Sequence, residues 1–314
     1  MRWNNFNKLK IQPIWFFVLI LIVFFSSTSE YFFEFSNFKN IFIQTSTIGL
    51  IALGLTFVMI NGNIDLSVGS MVALSASITI GLQGYGLGFS IFAALLAGVL
   101  FGALNGIIVW KTGVDSFIVT LGAMIGIRGV VFIYTEEQSF YALDFAFSDF
   151  GSSSLLGIPS LVLIFLFFSW LMHFILSRTI HGRNMLAIGG SRTASLNAGM
   201  KIGRHLMINF MICGFLAALA GITLSSQMGA STPNLGRDFE LWAITAVVLG
   251  GTHLKGGSGS IIGTLGGVIA IGVLRNGMNL LHIPSFYVLV ILGVILISVI
   301  YFDSLMKNKM ELSQ

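Results

Sequence analysis

Hydrophobic residues along this chain gather into ten blocks separated by short polar or glycine-rich breaks. The blocks are 12–29, 41–60, 66–83, 88–110, 116–134, 156–177, 206–226, 241–252, 258–275 and 284–302. About 20 mostly apolar residues cross the roughly 30 Å hydrocarbon core of a bilayer as a helix. The pattern therefore predicts an all-α polytopic membrane protein, a single transmembrane domain over residues 1–314 with about ten transmembrane helices. The eighth block is short, which predicts either extension into its flanks or one broken helix.

Charge orients these blocks. Cationic loops stay on the cytoplasmic side, and the segment 178–205 carries Arg178, Arg183, Arg192, Lys201 and Arg204 with no Asp or Glu. With that loop inside, Arg2, Lys8, Lys10, Lys111, Lys255, Lys307 and Lys309 also fall inside. Glu136, Glu137, Asp144 and Asp149 fall in an extracytoplasmic loop, 135–155, and both termini are cytoplasmic. Lys39, Arg237 and Arg275 fall outside against the trend. Arg2, Lys8 and Lys10 before 14–25 resemble a signal peptide, but 26–30 lacks a small-x-small cleavage site, which favours an uncleaved first helix.

Within the basic loop, Ser191 after Gly189-Gly190 suits a helix N-cap and Gly199 a C-terminal stop, with about two turns between them. Ala194, Leu196 and Ala198 give this helix small apolar contacts. Two readings stand side by side: an interfacial helix held by anionic lipid, or a helix that docks into a cytoplasmic partner.

Composition supports the membrane reading. Hydrophobic residues make up 55% of 314 positions and charged residues 9%, with a mean hydropathy of +0.93. Soluble domains carry about 25% charged residues, so lipid must solvate most of this chain. The net charge of +4 gathers at membrane-inside positions, which speaks for topology and against nucleic-acid binding. The lone Cys213 sits in an apolar run and reads as a small buried hydrophobe.

Glycine numbers 37 and is partly ordered: Gly98, Gly102 and Gly106; Gly259, Gly263 and Gly267; Gly122 and Gly126. Four-residue spacing stacks glycines on one helix face and lets backbones approach closely. Two breaks look alike, 61–65 before Val68-Gly69-Ser70 and 250–255 before Ser258-Gly259-Ser260, which suggests an internal repeat.

Enzyme signatures are sparse. No His-Glu-x-x-His, Walker A lysine motif or Cys-x-x-Cys occurs, and the glycines at 257–263 miss the dinucleotide fingerprint by one residue. Gly256-Gly257-Ser258-Gly259 matches the Gly-x-Ser-Gly of intramembrane serine proteases. A serine nucleophile needs a histidine base, yet His253 is too near along the chain and His282 falls near the opposite face. Intramembrane ionisable residues are functional by default. Arg128 lies about seven residues, roughly 10 Å, from its outer helix end, within reach of the surface by snorkelling. His173 is interfacial and Asp65 sits at a break. The scarcity of buried acids argues against a proton-driven carrier, so the energy comes from elsewhere.

Four ordered blocks then carry a resemblance. They are 63–70 (Asn-Ile-Asp-Leu-Ser-Val-Gly-Ser), 117–122 with Arg128-Gly129, 182–199, and 239–260 with Phe239-Glu240-Leu241 and Gly250-Gly251. The chain resembles the permeases of ribose/galactose-type bacterial ABC sugar importers, a family that includes autoinducer-2 permeases, over residues 41–303. Asn63 replaces a family glycine, Asp115-Ser116 replace prolines, and Arg192-Thr193 stand where acidic residues are common.

The resemblance implies a membrane-spanning subunit in the bacterial inner membrane that admits a monosaccharide or similar polar solute. It is no enzyme and holds no cofactor, since ATP and Mg are bound by a partner. The implied partners are a cytoplasmic, tandem ABC ATPase, an extracytoplasmic solute-binding protein, a second permease copy or paralogue, and membrane lipid. Gly182, Arg183, Ala187, Gly189, Gly190, Ser191, Arg192 and Gly199 map to the ATPase-coupling loop. Asp65, Ser67, Gly69, Arg128 and Glu240 are pathway or gate candidates, as are the polar Gln44, Ser46, Ser75, Asn105 and Thr120. An amino-acid or nucleoside permease of the same superfamily is the alternative.

Overall fold

A computed structural model describes residues 13–311. Arg2, Lys8 and Lys10 lie outside the described residues, as do the side chains of Lys307 and Lys309. The chain is almost wholly helical: α1 (Pro13–Thr28), α2 (Phe35–Ile60), α3 (Val68–Gly81), α4 (Leu87–Thr112), α5 (Ser116–Thr135), α6 (Phe145–Ser152), α7 (Ser160–Arg178), α8 (Ile180–Gly190), α9 (Arg192–Asn197), α10 (Ile202–Met228), α11 (Phe239–Leu249), α12 (Ile261–Leu280) and α13 (Ser285–Glu311). Ten of these coincide with the ten apolar blocks. Among the described residues, six helices, α2, α4, α5, α7, α10 and α12, are long and apolar enough to cross a membrane unaided. Large apolar side chains on α4, α5 and α13, among them Phe92, Ile118, Ile133 and Ile297, face outward, as lipid-solvated helices require.

α2 and α10 form the centre. α10 packs on α2, α3 and α4, while α2 packs on α10, α11 and α12; α3 touches α4 and α5 as α11 touches α12 and α13. The units α2–α5 and α10–α13 therefore share one contact order. Five spans separate their starts, so the second unit is inverted. The repeat suggested by the two similar breaks exists, but in another register. The counterpart of 61–67 is 229–238, not 250–255, and 61–62 and 250–257 instead meet at the same end, where Gly257 N donates to the Ile60 carbonyl at 2.9 Å.

Two helices are broken where one was expected. α3 has 14 residues and α11 has 11, about 21 and 16 Å at 1.5 Å per residue, short of a bilayer. Block 66–83 thus holds a half-length helix, preceded by the irregular segment 61–67. Segment 61–67 climbs along α5, with Ile64 N donating to Ser116 Oγ (3.0 Å) and Leu66 N to Thr120 Oγ1 (3.1 Å). Asp115, in place of a proline, caps α5 by accepting from Phe117 N at 2.8 Å. Segment 229–238 descends along α3, with Ser231 bonded to Ser77 at 3.0 Å and Gly236 against Gly69 and Val72. Irregular backbone is tolerated at membrane depth only when buried in protein in this way.

The glycine stripes divide. Gly98, Gly102 and Gly106 press α4 onto the backbone of α10 at Gly214, Phe210 and Met207. Gly267 meets the Ala246 carbonyl, Gly263 meets Gly250, and Gly259, just before α12, meets Ile60 and Thr252. Gly122 and Gly126 differ: nothing in the described residues lies within 4 Å of a side chain placed there. α5 presents that face outward, so its glycines pack on no helix of this chain.

The loop 135–155 contains a two-residue strand β1 (Phe140–Tyr141), paired antiparallel with β4 (Ala230–Ser231), and α6, whose Gly151 abuts Ser226 on α10. A second two-stranded sheet, β2 (Ser154–Leu155) with β3 (Ile158–Pro159), closes the loop. α1 is a packed element, with Ile14 against Gly266 and Phe25 against Gly277 of α12.

Candidate functional site

The N-terminal ends of α3 and α11 meet inside the bundle, where Gly69 contacts the Gly236 carbonyl and the Glu240 carboxylate. Helix N-termini leave free N–H groups and a positive dipole end. A cleft of about 620 Å³ opens beside them, lined by Ser70, Arg128, Asn234, Arg237, Asp238 and Glu240 with Met124, Ile125 and Phe132 as its apolar wall. Two cations and two anions balance in number, and Ser70 and Asn234 add uncharged polar groups. Such a lining can hydrogen-bond a polar, uncharged solute without trapping a charged one.

Arg128 does not snorkel outward. Its guanidinium donates to the carbonyls of Pro233 (2.8 Å) and Leu235 (2.9 Å), fastening segment 229–238 to α5. Hydrogen bonds to charged groups contribute about 1.5–3 kcal/mol each. Arg128→Leu should raise amide exchange across 231–238 by at least ten-fold; unchanged exchange would show that the guanidinium does not hold the segment.

The remaining pathway candidates separate by position. Asp65 Oδ1 accepts from Ser67 N (2.9 Å) and Ser67 Oγ (2.6 Å), and Asn105 Nδ2 donates to that same Oγ (3.0 Å). Thr120 Oγ1 accepts from Leu66 N and donates to the Ser116 carbonyl at 2.8 Å. All four side chains are buried and knit segment 61–67 to α4 and α5. Ser46 donates to the Phe42 carbonyl (2.6 Å) and Ser75 to that of Val72 (3.1 Å); neither borders the cleft. Gln44 is exposed on α2 near Arg275. Of the ten candidates only Arg128 and Glu240 line the cleft, with Gly69 at its edge.

Asn234, Arg237 and Asp238 line the cleft and were not singled out by sequence. Arg237, taken as an outlying charge in the topology, lies instead in the re-entrant segment. An Asp precedes each short helix, Asp65 three residues before α3 and Asp238 directly before α11, a likeness that points to Asp238 alone.

The basic loop 178–205 folds into two helices where one was expected. α9 is the expected helix, capped by Ser191 Oγ accepting from Ala194 N (3.2 Å) and ended by Gly199 at φ +77°. α8 precedes it, started by Thr179 Oγ1 accepting from Gly182 N at 3.2 Å. Gly182 is buried against the Leu176 carbonyl, and Gly189 sits so close to the Ile60 carbonyl and Gly257 that no side chain fits. α8 therefore rests on the end of α2 and on the break between α11 and α12 together. Arg183, Ala187, Gly190 and Arg192 are exposed, and the Arg192 guanidinium stacks over the Trp110 ring of α4 at 5.8 Å, a cation–π contact worth about 0.5–1 kcal/mol at an exposed site.

Ser258 Oγ is buried with no hydrogen-bond partner among the described residues. No imidazole activates it, so the Gly-x-Ser-Gly match lacks a base.

Residues 37–300 match the family model described as branched-chain amino acid transport system / permease component. The chain is 39% identical to a ribose import permease protein of Bacillus subtilis over 295 residues, covering 91% of this chain and 90% of that one. It is 36% identical to a D-allose transport system permease protein of Escherichia coli K12, covering 93% and 91%. Identity to the xylose transport system permease protein of the same organism is 31%, covering 98% and 96%. No solved structure matches. A multi-pass helical body, a match across nearly its whole length and full-length likeness to import permeases converge, and the chain belongs to this family of ABC-transporter permeases.

Proposed function

We propose that this chain is the membrane-spanning permease of a binding-protein-dependent ABC importer, passing a monosaccharide or similar small polar solute inward. The observation that carries the reading is the charge-balanced polar cleft at the facing ends of α3 and α11, where discontinuous helices of transporters commonly hold substrate. ATP is hydrolysed by a partner in the cytoplasm, and this chain catalyses no reaction. An extracytoplasmic binding protein delivers the solute, and the membrane is the bacterial inner membrane.

α8 and α9 are the surface for the ATPase, a tandem subunit. Seated on both inverted units, α8 is placed to convert closure of the ATPase into a rigid-body switch of the cleft between outward and inward access. The open glycine face of α5 is the surface for a second permease, an identical copy or a paralogue, since close helix approach in lipid uses small residues. Gly126→Leu should leave the folded monomer intact and weaken permease–permease association at least ten-fold, read by cross-linking in membranes. Full association in that variant would place the dimer contact elsewhere.

Uptake of a labelled monosaccharide into proteoliposomes tests the reading as a whole. Omitting ATP, the ATPase or the binding protein should each abolish it; uptake by this chain alone under a proton gradient would overturn the proposal. An amino acid is the second reading, favoured by the family model's description and by the paired charges of the cleft. Titrating the cognate binding protein with sugars and amino acids separates the two.

A further inference from the structure

A chain of four side chains joins α8 to α10 behind the ATPase-facing surface. Asn209 Oδ1 lies 2.8 Å from His181 Nε2, His181 Nδ1 lies 2.7 Å from His205 Nδ1, and His205 Nε2 lies 3.1 Å from Asn184 Nδ2. The two imidazoles stack at 4.9 Å, and Phe57 of α2 stacks against His181 at 6.5 Å. They border a cytoplasmic cavity of about 790 Å³ whose charged lining residues are Lys201 and Arg204.

With the two amides oriented as they stand, the contacts fit one protonation. A neutral imidazole has one donor and one acceptor, an imidazolium two donors. His181 donates from Nε2 to Asn209, which leaves its Nδ1 bare. His205 therefore donates from Nδ1, and its bare Nε2 accepts from Asn184. Reversing both amides reverses the direction of the chain and keeps the count: both rings neutral, in opposite tautomers, with one proton between the facing Nδ1 atoms, whereas reversing Asn184 alone fits one further proton.

We infer that His181 and His205, held by Asn209 and Asn184, form a charge-neutral joint that carries motion of α8 into α10, and so into segment 229–238 at the cleft. The inference rests on the reading of α8 and α9 as the ATPase surface. A proton added at His181 Nδ1 replaces one hydrogen bond with two facing donors, and one added at His205 Nε2 faces the Asn184 donor until that amide turns. Either way, a charged ring in this half-buried place weakens the joint. Burial holds the His181 pKa below its ordinary value of 6.5, opposed by its hydrogen bond to Asn209 and helped by the nearby Arg204 charge. A ring whose folded pKa is lowered favours the closed joint above pH 6.5 and loses that preference as pH falls below it.

The test uses the assembled importer and reads uptake per ATP hydrolysed from about pH 7.5 to about pH 5.5. One lost hydrogen bond of about 1 kcal/mol corresponds to about a five-fold loss of coupling. Wild type should lose about that much on acidification. His181→Ala and His205→Ala should show the loss already at the higher pH and a flat profile, and His205→Gln, which keeps a donor without a titrating ring, should recover part of it. Histidine ¹⁵N spectra of the permease alone should show two neutral rings of opposite tautomer. Like tautomers, an imidazolium at the higher pH, or alanine variants that keep the acid loss would each overturn the joint. Cross-linking Ser191→Cys to the ATPase judges the docking surface separately: opposite tautomers without a cross-link would retire the docking reading, and the transmitting role with it, while leaving the hydrogen-bonded pair in place.

Discussion

Gly189→Leu is expected to reduce ATP-driven uptake roughly ten- to hundred-fold while the permease still inserts and folds. A side chain at this position overlaps the Ile60 carbonyl and the backbone of Gly257, so α8 must lift from α2 and from the break after α11. Overfilled contacts cost about 1–3 kcal/mol, and each 1.4 kcal/mol is a factor of ten. α8 lies outside the membrane body, so the strain falls on its seating, not on the bundle. Uptake and basal ATP hydrolysis measured together check this: hydrolysis should persist while transport falls. A Cβ on Gly190, the next residue, meets nothing within 4 Å, and Gly190→Leu should leave thermal stability unchanged. Equal coupling in Gly189→Leu and wild type would mean that α8 does not act through this seat.

Gly102→Leu is expected to remove most folded protein from the membrane. α4 and α10 approach backbone to backbone at this point, where a Cβ would strike the Phe210 carbonyl. Gly98 and Gly106 hold the same helix on either side, so α4 cannot tilt away locally. Without a hydrophobic force between helices in lipid, such packing is itself the association energy, and the penalty is about 3 kcal/mol or more. Gly122→Leu, the same change on the open face of α5, should cost under about 0.5 kcal/mol. Detergent-extracted yield and thermal unfolding separate the two; equal yields would refute the packing account.

Much of this architecture was legible in the sequence because lipid imposes a simple rule of length and polarity. Ten apolar blocks became ten helices, and Ser191 and Gly199 ended the helix they were expected to end. The half-length of α3 was hidden, since Leu66 and Ser67 continue an apolar run while segment 63–66 is irregular backbone bonded to α5. Only the partners Ser116 and Thr120, distant in sequence, reveal it. Spacing alone could not tell Gly102, pressed on a backbone, from Gly126, which faces outward. Arg128 was visible as a buried charge, but its carbonyl partners lie more than one hundred residues away. Arg192, conspicuous where acids are common, has part of its surface taken by Trp110.

The central claim is that events on a cytoplasmic ATPase switch the side from which the cleft is open. Asn234 is exposed in the cleft and the only native cysteine, Cys213, is fully buried, so Asn234→Cys supplies a single reporter for membrane-impermeant thiol reagents. In membranes holding the ATPase with its hydrolysis blocked, adding ATP should transfer labelling from one side of the bilayer to the other. Labelling from the same side, with or without ATP and with or without the ATPase, would contradict the account.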